Sequence, residues 1–301
     1  MIATDAYDLL KHDAGLVERA GRTVIELRGA EAAEFLQGQV TNDVEALTVG
    51  EGCYAALLDH KGKLRTDMRV LRLAPDHLLV DAEPIARRVL IHNFETYSLG
   101  REVRTTDLTD ARLVFSLIGP TSSTRLDHVP PEREHSSVES AHMLCVTTDL
   151  GFDVIVAAEQ ADAVRALAEP VAEEVAECLR IESGRPRLGR DMDATTMPQE
   201  AQINDRAVSF TKGCYVGQET VARLYYRGKP NRHLRGLRLA ELATAGEPIV
   251  LEGKQVGAVG SACVSPAFGP IALAIVRREA SPGAEVAVGE TTATVVELPF
   301  T

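Results

Sequence analysis

Residues 212–219 read KGCYVGQE. One cysteine, Cys214, stands between a Lys-Gly step and a Val-Gly step, with no second cysteine near enough to form a CxxC pair. The run that follows, VGQETVARLYY, has the composition of a helix beginning just after the thiol. A helix N-terminus and a nearby cation, here Lys212, both favour a thiolate. Gly213 and Gly217 let the backbone turn sharply or approach a ligand closely. Two readings stand side by side: a reactive thiol, or a small residue packed at a tight turn.

The rest of the chain narrows the class of protein. Its 301 residues, 45% apolar and 25% charged, suit a globular molecule of two or three compact units. No apolar run reaches the roughly 18 to 20 residues of a membrane span. The opening MIATDAYDLLKHDAG lacks the apolar core of a secretion signal, so a cytoplasmic location and no membrane partner are expected. Cys53, Cys145, Cys178, Cys214 and Cys263 are odd in number and scattered, which excludes a disulfide framework and a metal site built on close pairs. A net charge of −12 opposes broad phosphate-backbone binding, so direct nucleic-acid binding is not expected.

Periodicity gives the organisation. RTVIELRG (22–29) alternates as a strand, AEAAEFLQGQ has helical composition, and residues 52–73 read as two strands joined by a turn at His60-Lys61-Gly62-Lys63. HLLVDA adds a strand and residues 84–97 a helix. A second set runs from ARLVFSLIG (111–119) through a polar, proline-containing insertion at 121–140 to the strands AHMLCVTT and FDVIVAA and the helix EQADAVRALAEP. This order fits an α+β unit with an antiparallel sheet. After a helix at 171–183, short glycine-punctuated strands from about 231 predict a small all-β barrel or sandwich.

Four features could carry chemistry. Glu182 ends the apolar stripe Val171, Val175, Cys178, Leu179 of a 3.6-residue helix, so it is either frayed or held in a cleft. A held carboxylate needs donors, from a ligand's N–H groups or from Arg185 or Arg187. Asp67 lies in KLRTDMRV, where alternation puts Thr66, Met68 and Val70 on one face and Arg65, Asp67, Arg69 and Leu71 on the other. Flanked by arginines, it reads most simply as part of a solvated or salt-bridged face. Arg223, Arg227, Lys229, Arg232, Arg235 and Arg238 form a basic run without an intervening acid, either an anion-binding patch or a solvated surface. Phe210, Tyr215, Tyr225 and Tyr226 lie nearby in sequence and could stack on a flat ring. There is no GxGxxG after a strand, no GxxxxGK[ST], no HExxH and no GxSxG.

Read together, KGCYVGQE, FLQGQVTND (35–43), LLDHKGKLRTDMRV (57–70), LIGP (117–120), RIESGRPRLGRDMD (180–193) and MPQEAQI (197–203) resemble the YgfZ family. These are folate-binding proteins of iron–sulfur cluster maintenance, related to the glycine cleavage T-protein, an aminomethyltransferase. The resemblance implies an α+β fold of two mixed lobes plus a C-terminal β-barrel, arranged around a central folate channel. Residues 1–229 would form the folate-binding region, with lobe one at about 1–108 plus 178–229, lobe two at about 109–177, and the barrel at 230–301. It implies tetrahydrofolate as cofactor and iron–sulfur enzymes or cluster-assembly proteins as partners. It casts Glu182 as the pterin anchor, Cys214 as the reactive group and Asp67 as the surviving counterpart of the T-protein acid. Lys212, Tyr215, Gln218 and Arg223 would complete the cofactor-binding set, with no metal site. The T-protein pattern GG-x-x-DD is altered here, with Lys63 and Thr66 at two of its positions. An accessory role in cluster assembly or repair, indirectly supporting tRNA modification, is therefore expected ahead of a folate-dependent aminomethyltransferase.

Overall fold

A computed structural model describes residues 4–140 and 143–301, so the first two residues of the AHMLCVTT strand lie outside it. The first sheet has five antiparallel strands in the spatial order Gly52–Leu58, Leu64–Ala74, His77–Ala82, Thr23–Arg28, Arg104–Asp107. The predicted alternation of Leu64–Ala74 is present. Met68 and Val70 point to a core with Ile25, Leu27, Leu78 and Val80, closed by Phe35 and Leu36 of the helix Ala32–Gln39 and by Leu90 and Phe94 of the helix Arg87–Tyr97. Leu71 points the other way and joins Val24 and Leu79 against Val114, Leu144, Val146 and Ile155 of a second sheet. The two sheets thus share an apolar seam, and side chains further along the same faces meet at the junction.

The second sheet has six strands in the order Glu169–Pro170, Gly15–Glu18, Arg112–Ile118, Gly151–Ala157, Met143–Thr147, Ser137–Glu139. Two of its members depart from the sequence reading. Gly15–Glu18 precedes the whole first sheet in the chain yet pairs antiparallel with Arg112–Ile118 of the second. The helix expected across EQADAVRALAEP ends at Arg165, and Glu169–Pro170 instead pairs with Gly15 and Leu16. Pro170 has no backbone N–H and disfavours helix in the residue before it, which directs the segment to a sheet edge. The insertion at 121–140 contains a 3₁₀ turn at Ser122–Arg125 and the short strand Ser137–Glu139.

Helix Glu173–Glu182 lies between the second sheet and the C-terminal domain. Val175, Cys178 and Leu179 pack on Tyr7, Leu10, Val17 and Ile118, and Ile181 packs on Leu234, Ile271, Leu273 and Phe300. The C-terminal strands close into a six-stranded barrel, settling the choice between barrel and sandwich. Among the described residues no helix is long and apolar enough to cross a membrane.

Candidate functional site: a charge-lined central cavity and an exposed thiol loop

The faces that do not enter the apolar cores converge on a cavity of about 210 Å³. The first sheet supplies Arg22, Tyr54, Asp67, Arg69, Asp81 and Glu83, and the second supplies Ser116 and Asp153. Helix Glu173–Glu182 adds Glu177 and Arg180, and the loop after it adds Arg185 and Arg187. Such a concentration of charge must be closed by pairing, because an isolated buried ion is very costly. Arg22 bonds Asp81 at 2.7 Å and Glu83 at 2.6 Å. Arg69 bridges Asp153 of the second sheet at 2.7 Å and Asp81 of the first. Arg185 holds Glu134 at 2.6 Å and Asp149 at 2.7 Å, while Arg206 also reaches Glu134 at 2.9 Å. Arg187 meets Glu83 and Glu177, and Arg180 meets Glu177 and Asp191.

Asp67 is the exception. It is 8% exposed, and among the described residues it is the cavity carboxylate that no arginine pairs. Its side-chain partner is the Tyr54 hydroxyl, which donates to Oδ2 at 2.6 Å, and Arg206 stacks on that tyrosine ring at 5.0 Å. Burial raises the Asp67 carboxyl to about 6, helped by nearby Glu83 and opposed by the Tyr54 bond and Arg22. The expected solvated or salt-bridged face is therefore a cavity wall: Arg69 is salt-bridged, and Asp67 is buried with one oxygen unclaimed.

Three further cavity atoms are buried without a hydrogen-bond partner: Arg69 Nε, Arg206 Nε and His135 Nδ1. They are polar atoms of the cavity residues left unpaired in the fold. Glu134 and His135 come from the 121–140 insertion, and Glu177 lies five residues before Glu182. Local sequence flagged none of the three, because their relevance comes from the packing of distant segments. The Glu177 signal was present only as an acid one turn before Arg180 on a helix whose other faces are apolar.

Of the two readings of Glu182, frayed or held in a cleft, the structure shows it buried, but it does not line this cavity. Its carboxylate accepts from Tyr7 Oη at 2.9 and 3.0 Å and from Ser265 Oγ at 2.6 Å, with Lys11 Nζ at 3.8 Å. It borders a second cleft of about 550 Å³ between the N-terminal helix, the second lobe and the C-terminal tail. The two openings share Ile118, Asp149 and Leu150.

The signature loop lies elsewhere. Lys212, 8% exposed, donates from Nζ to the carbonyls of Gln37, Val40 and Asn42 at 2.6, 2.7 and 2.8 Å. These lie at the C-terminus of helix Ala32–Gln39 and in the segment after it, so the FLQGQVTND stretch receives this lysine. With all three protons engaged and burial lowering its pKa to about 8, Lys212 is a structural peg and not a ligand-facing cation. Tyr215 is buried in a cluster with Ala56, Leu58, Leu64 and Val221. Gly217 caps helix Gln218–Arg227 at φ 87°, where an added Cβ would meet the Asp59 carbonyl at 2.5 Å and Gly62 Cα at 3.2 Å. The DHKGK turn and the signature are therefore in contact. Gln218 makes a 3.5 Å contact with the Gly213 carbonyl. Cys214 and Arg223 are exposed on the outer surface and line neither opening.

The aromatic and basic residues downstream separate. Phe210 and Tyr225 stack with centroids 3.9 Å apart, and Tyr226 meets both edge-on. They satisfy one another on the surface, away from the cavity. Arg232 pairs with Glu200, Arg235 with Glu297, and Arg238 bonds the Thr301 carbonyl, so the basic run is not one patch.

Two α+β lobes followed by a closed β-barrel are the fold of the glycine cleavage T-protein class. Residues 3–212 match the GCVT N-terminal domain family and residues 232–301 match the glycine cleavage T-protein C-terminal barrel domain, and the chain belongs to this family. It is 27% identical to a putative chloroplastic transferase of Arabidopsis thaliana, over 98% of this chain and 73% of that one. It is 26% identical to an aminomethyltransferase of Synechococcus sp. (strain WH7803), over 98% and 89% respectively. To the tRNA-modifying protein YgfZ of Yersinia pseudotuberculosis it is 28% identical, over 75% and 72%. The fold matches the crystal structure of glycine cleavage system aminomethyltransferase T from Bartonella henselae, with a TM-score of 0.88 at 23% identity over 99% of this chain and 89% of that one.

Two outcomes follow from this geometry. Lys212→Met leaves three carbonyls without their donor and is expected to destabilise the fold by about 2–4 kcal/mol, read as a lowered urea midpoint. Asp67→Asn should act oppositely. The folded-state pKa of Asp67 lies above its ordinary value, so the wild-type fold loses stability as pH rises from about 4 through 6. Asparagine removes that loss. Thermal unfolding should show the variant more stable than the wild type at pH 7, by up to about 3 kcal/mol, with the difference vanishing near pH 4.

Proposed function

We propose that this protein binds tetrahydrofolate in its central cavity and serves iron–sulfur cluster assembly or repair, with Cys214 as the group presented to its partners. The observation that carries the folate reading is the unpaired Asp67. The arginines of the cavity wall are engaged by carboxylates, which disfavours an anionic head group. An acceptor at Asp67 and spare N–H donors at Arg69 and Arg206 suit a neutral ring bearing both N–H groups and a carbonyl. The reduced pterin of tetrahydrofolate has that edge. Asp67 would accept its N–H groups, and Tyr54 would hold the carboxylate in place. Glu182, the pterin anchor implied by the resemblance, is satisfied by Tyr7 and Ser265, and its proposed part is to shape the second opening. A location in the cytoplasm fits this role.

The maintenance reading draws on the intact KGCYVGQE stretch and on the similarity to the YgfZ protein of Yersinia pseudotuberculosis. The DHKGK turn touches Gly217, whereas Asp67, further along the strand Leu64–Ala74, lines the cavity that Cys214 does not, which supports separate places of action for the thiol and the acid. A second reading, one-carbon transfer from folate, is favoured by the same carboxylate. A buried acid raised to about 6 can orient a folate amine and steady a developing iminium cation. Turnover of tetrahydrofolate with an amine donor, lost in Asp67→Asn, would establish that second reading.

Calorimetric titration with tetrahydrofolate at pH 7 should show binding by the wild type, weakened at least tenfold in Asp67→Asn. Equal affinity of the two proteins would remove Asp67 from the site. The thiol is tested in cells depleted of the protein. A Cys214→Ala copy should leave cluster-dependent enzyme activities low, and full rescue by that copy would end the proposed role of the thiol.

A further inference from the structure

The insertion at 121–140 places one histidine in an unusual backbone state inside the cavity. His135 has φ 69°, in the left-handed region that non-glycine residues rarely occupy. The strain is held in place from several sides. The His135 backbone N–H donates to the Thr147 carbonyl at 2.9 Å, and Ser136 N–H donates to the Arg133 carbonyl at 2.9 Å. Glu134 is locked between Arg185 and Arg206, and an added Cβ at Gly52 would meet the His135 carbonyl at 2.8 Å, so the first sheet also fixes the loop. Backbone strain maintained this firmly marks a side chain whose direction matters.

The two ring nitrogens differ in their surroundings. Nε2 lies 3.7 Å from Glu134 Oε1, too far for a hydrogen bond, but the negative carboxylate on that side favours the tautomer that carries its proton on Nε2. Nδ1 is then the lone-pair nitrogen. It is buried in the cavity wall with no hydrogen-bond partner among the described residues. Burial and the neighbouring Arg69, opposed by Glu134, and joined by Arg206 and Arg185, lower the His135 pKa to about 4, so the ring is neutral and Nδ1 stays available as an acceptor. An unsatisfied buried acceptor is costly unless a ligand completes it.

We propose that His135 is a ligand-binding residue of the central cavity, whose Nδ1 accepts a hydrogen bond from an N–H of the reduced pterin. This rests on the folate reading above and deepens it. The second lobe thereby supplies an acceptor to the same ligand that Asp67 meets from the first lobe, and a ligand lacking N–H donors is discriminated against from both sides.

Two substitutions separate the ring from the loop. His135→Gly removes the acceptor and also relieves the left-handed strain. His135→Asn keeps a left-handed preference and an acceptor oxygen close to the position of Nδ1. Tetrahydrofolate affinity is measured by calorimetry, and unfolding temperature is measured on the same samples. The glycine variant should unfold at the same temperature as the wild type or higher, yet bind about five- to tenfold more weakly. The asparagine variant should bind within about threefold of the wild type. Wild-type affinity in the glycine variant overturns the proposal, as does equal weakening in both variants accompanied by a lower unfolding temperature, since the loop and not the ring would then carry the affinity. Absence of binding by the unaltered protein removes the folate reading and this proposal together, whereas binding that is insensitive to His135→Gly removes this proposal alone.

Discussion

The structure depends on closing a set of buried charges where its lobes meet. Arg69 joins Asp81 of the first sheet to Asp153 of the second, and Arg187 joins Glu83 of the first lobe to Glu173 and Glu177 of the helix beside the barrel. Arg185 ties the loop after that helix to Glu134 and Asp149 of the second lobe. Bridges of this kind add little net stability over apolar packing, but breaking one leaves an uncompensated buried ion. They therefore fix how the lobes sit against one another. The apolar seam of Val24, Leu71 and Leu79 against Val114, Val146 and Ile155 supplies the driving force, and the charge pairs supply the register.

Within that frame an unpaired carboxylate is an anomaly with a meaning. Placing an arginine beside Asp67 would have been consistent with everything around it, and the cavity contains several. Tyr54 instead holds the carboxylate by a neutral bond, and burial keeps its proton affinity high. A cavity that closes its other acids and leaves one unpaired, at a cost in stability, makes that acid the candidate for the ligand contact proposed above.

Much of this was legible in the chain, up to the point where distant segments meet. The alternation of Leu64–Ala74 correctly divided Met68 and Val70 from Asp67 and Arg69, because side-chain period along a strand is local geometry. What that second face looks at depends on the other lobe, so the alternation alone reads as a solvated or salt-bridged face, which holds for Arg69 and not for Asp67 in the cavity wall. The stripe puts Glu182 at its end but leaves frayed and buried both open, and the donors that settle it are Tyr7, 175 positions away, and Ser265 of the barrel, in place of Arg185 or Arg187. Lys212 beside a cysteine suggested a cation for a thiolate, and the fold turns it toward three carbonyls. His135 gave no signal at all, since a left-handed histidine in a polar insertion has no periodicity to betray it.

The signature stretch can be taken apart on the same terms. Its lysine is explained by the carbonyls of Gln37, Val40 and Asn42, its tyrosine by the apolar cluster around Leu58 and Val221, and its second glycine by the Asp59 carbonyl. Glu219, exposed in the first turn of helix Gln218–Arg227, suits the positive end of the helix dipole. Gly213 has open space where a side chain would stand, and Cys214 beside it is exposed. Every residue with a fold-related reason to be there therefore surrounds and steadies the thiol. An exposed cysteine on a loop held this firmly fits the partner-facing role proposed for it above.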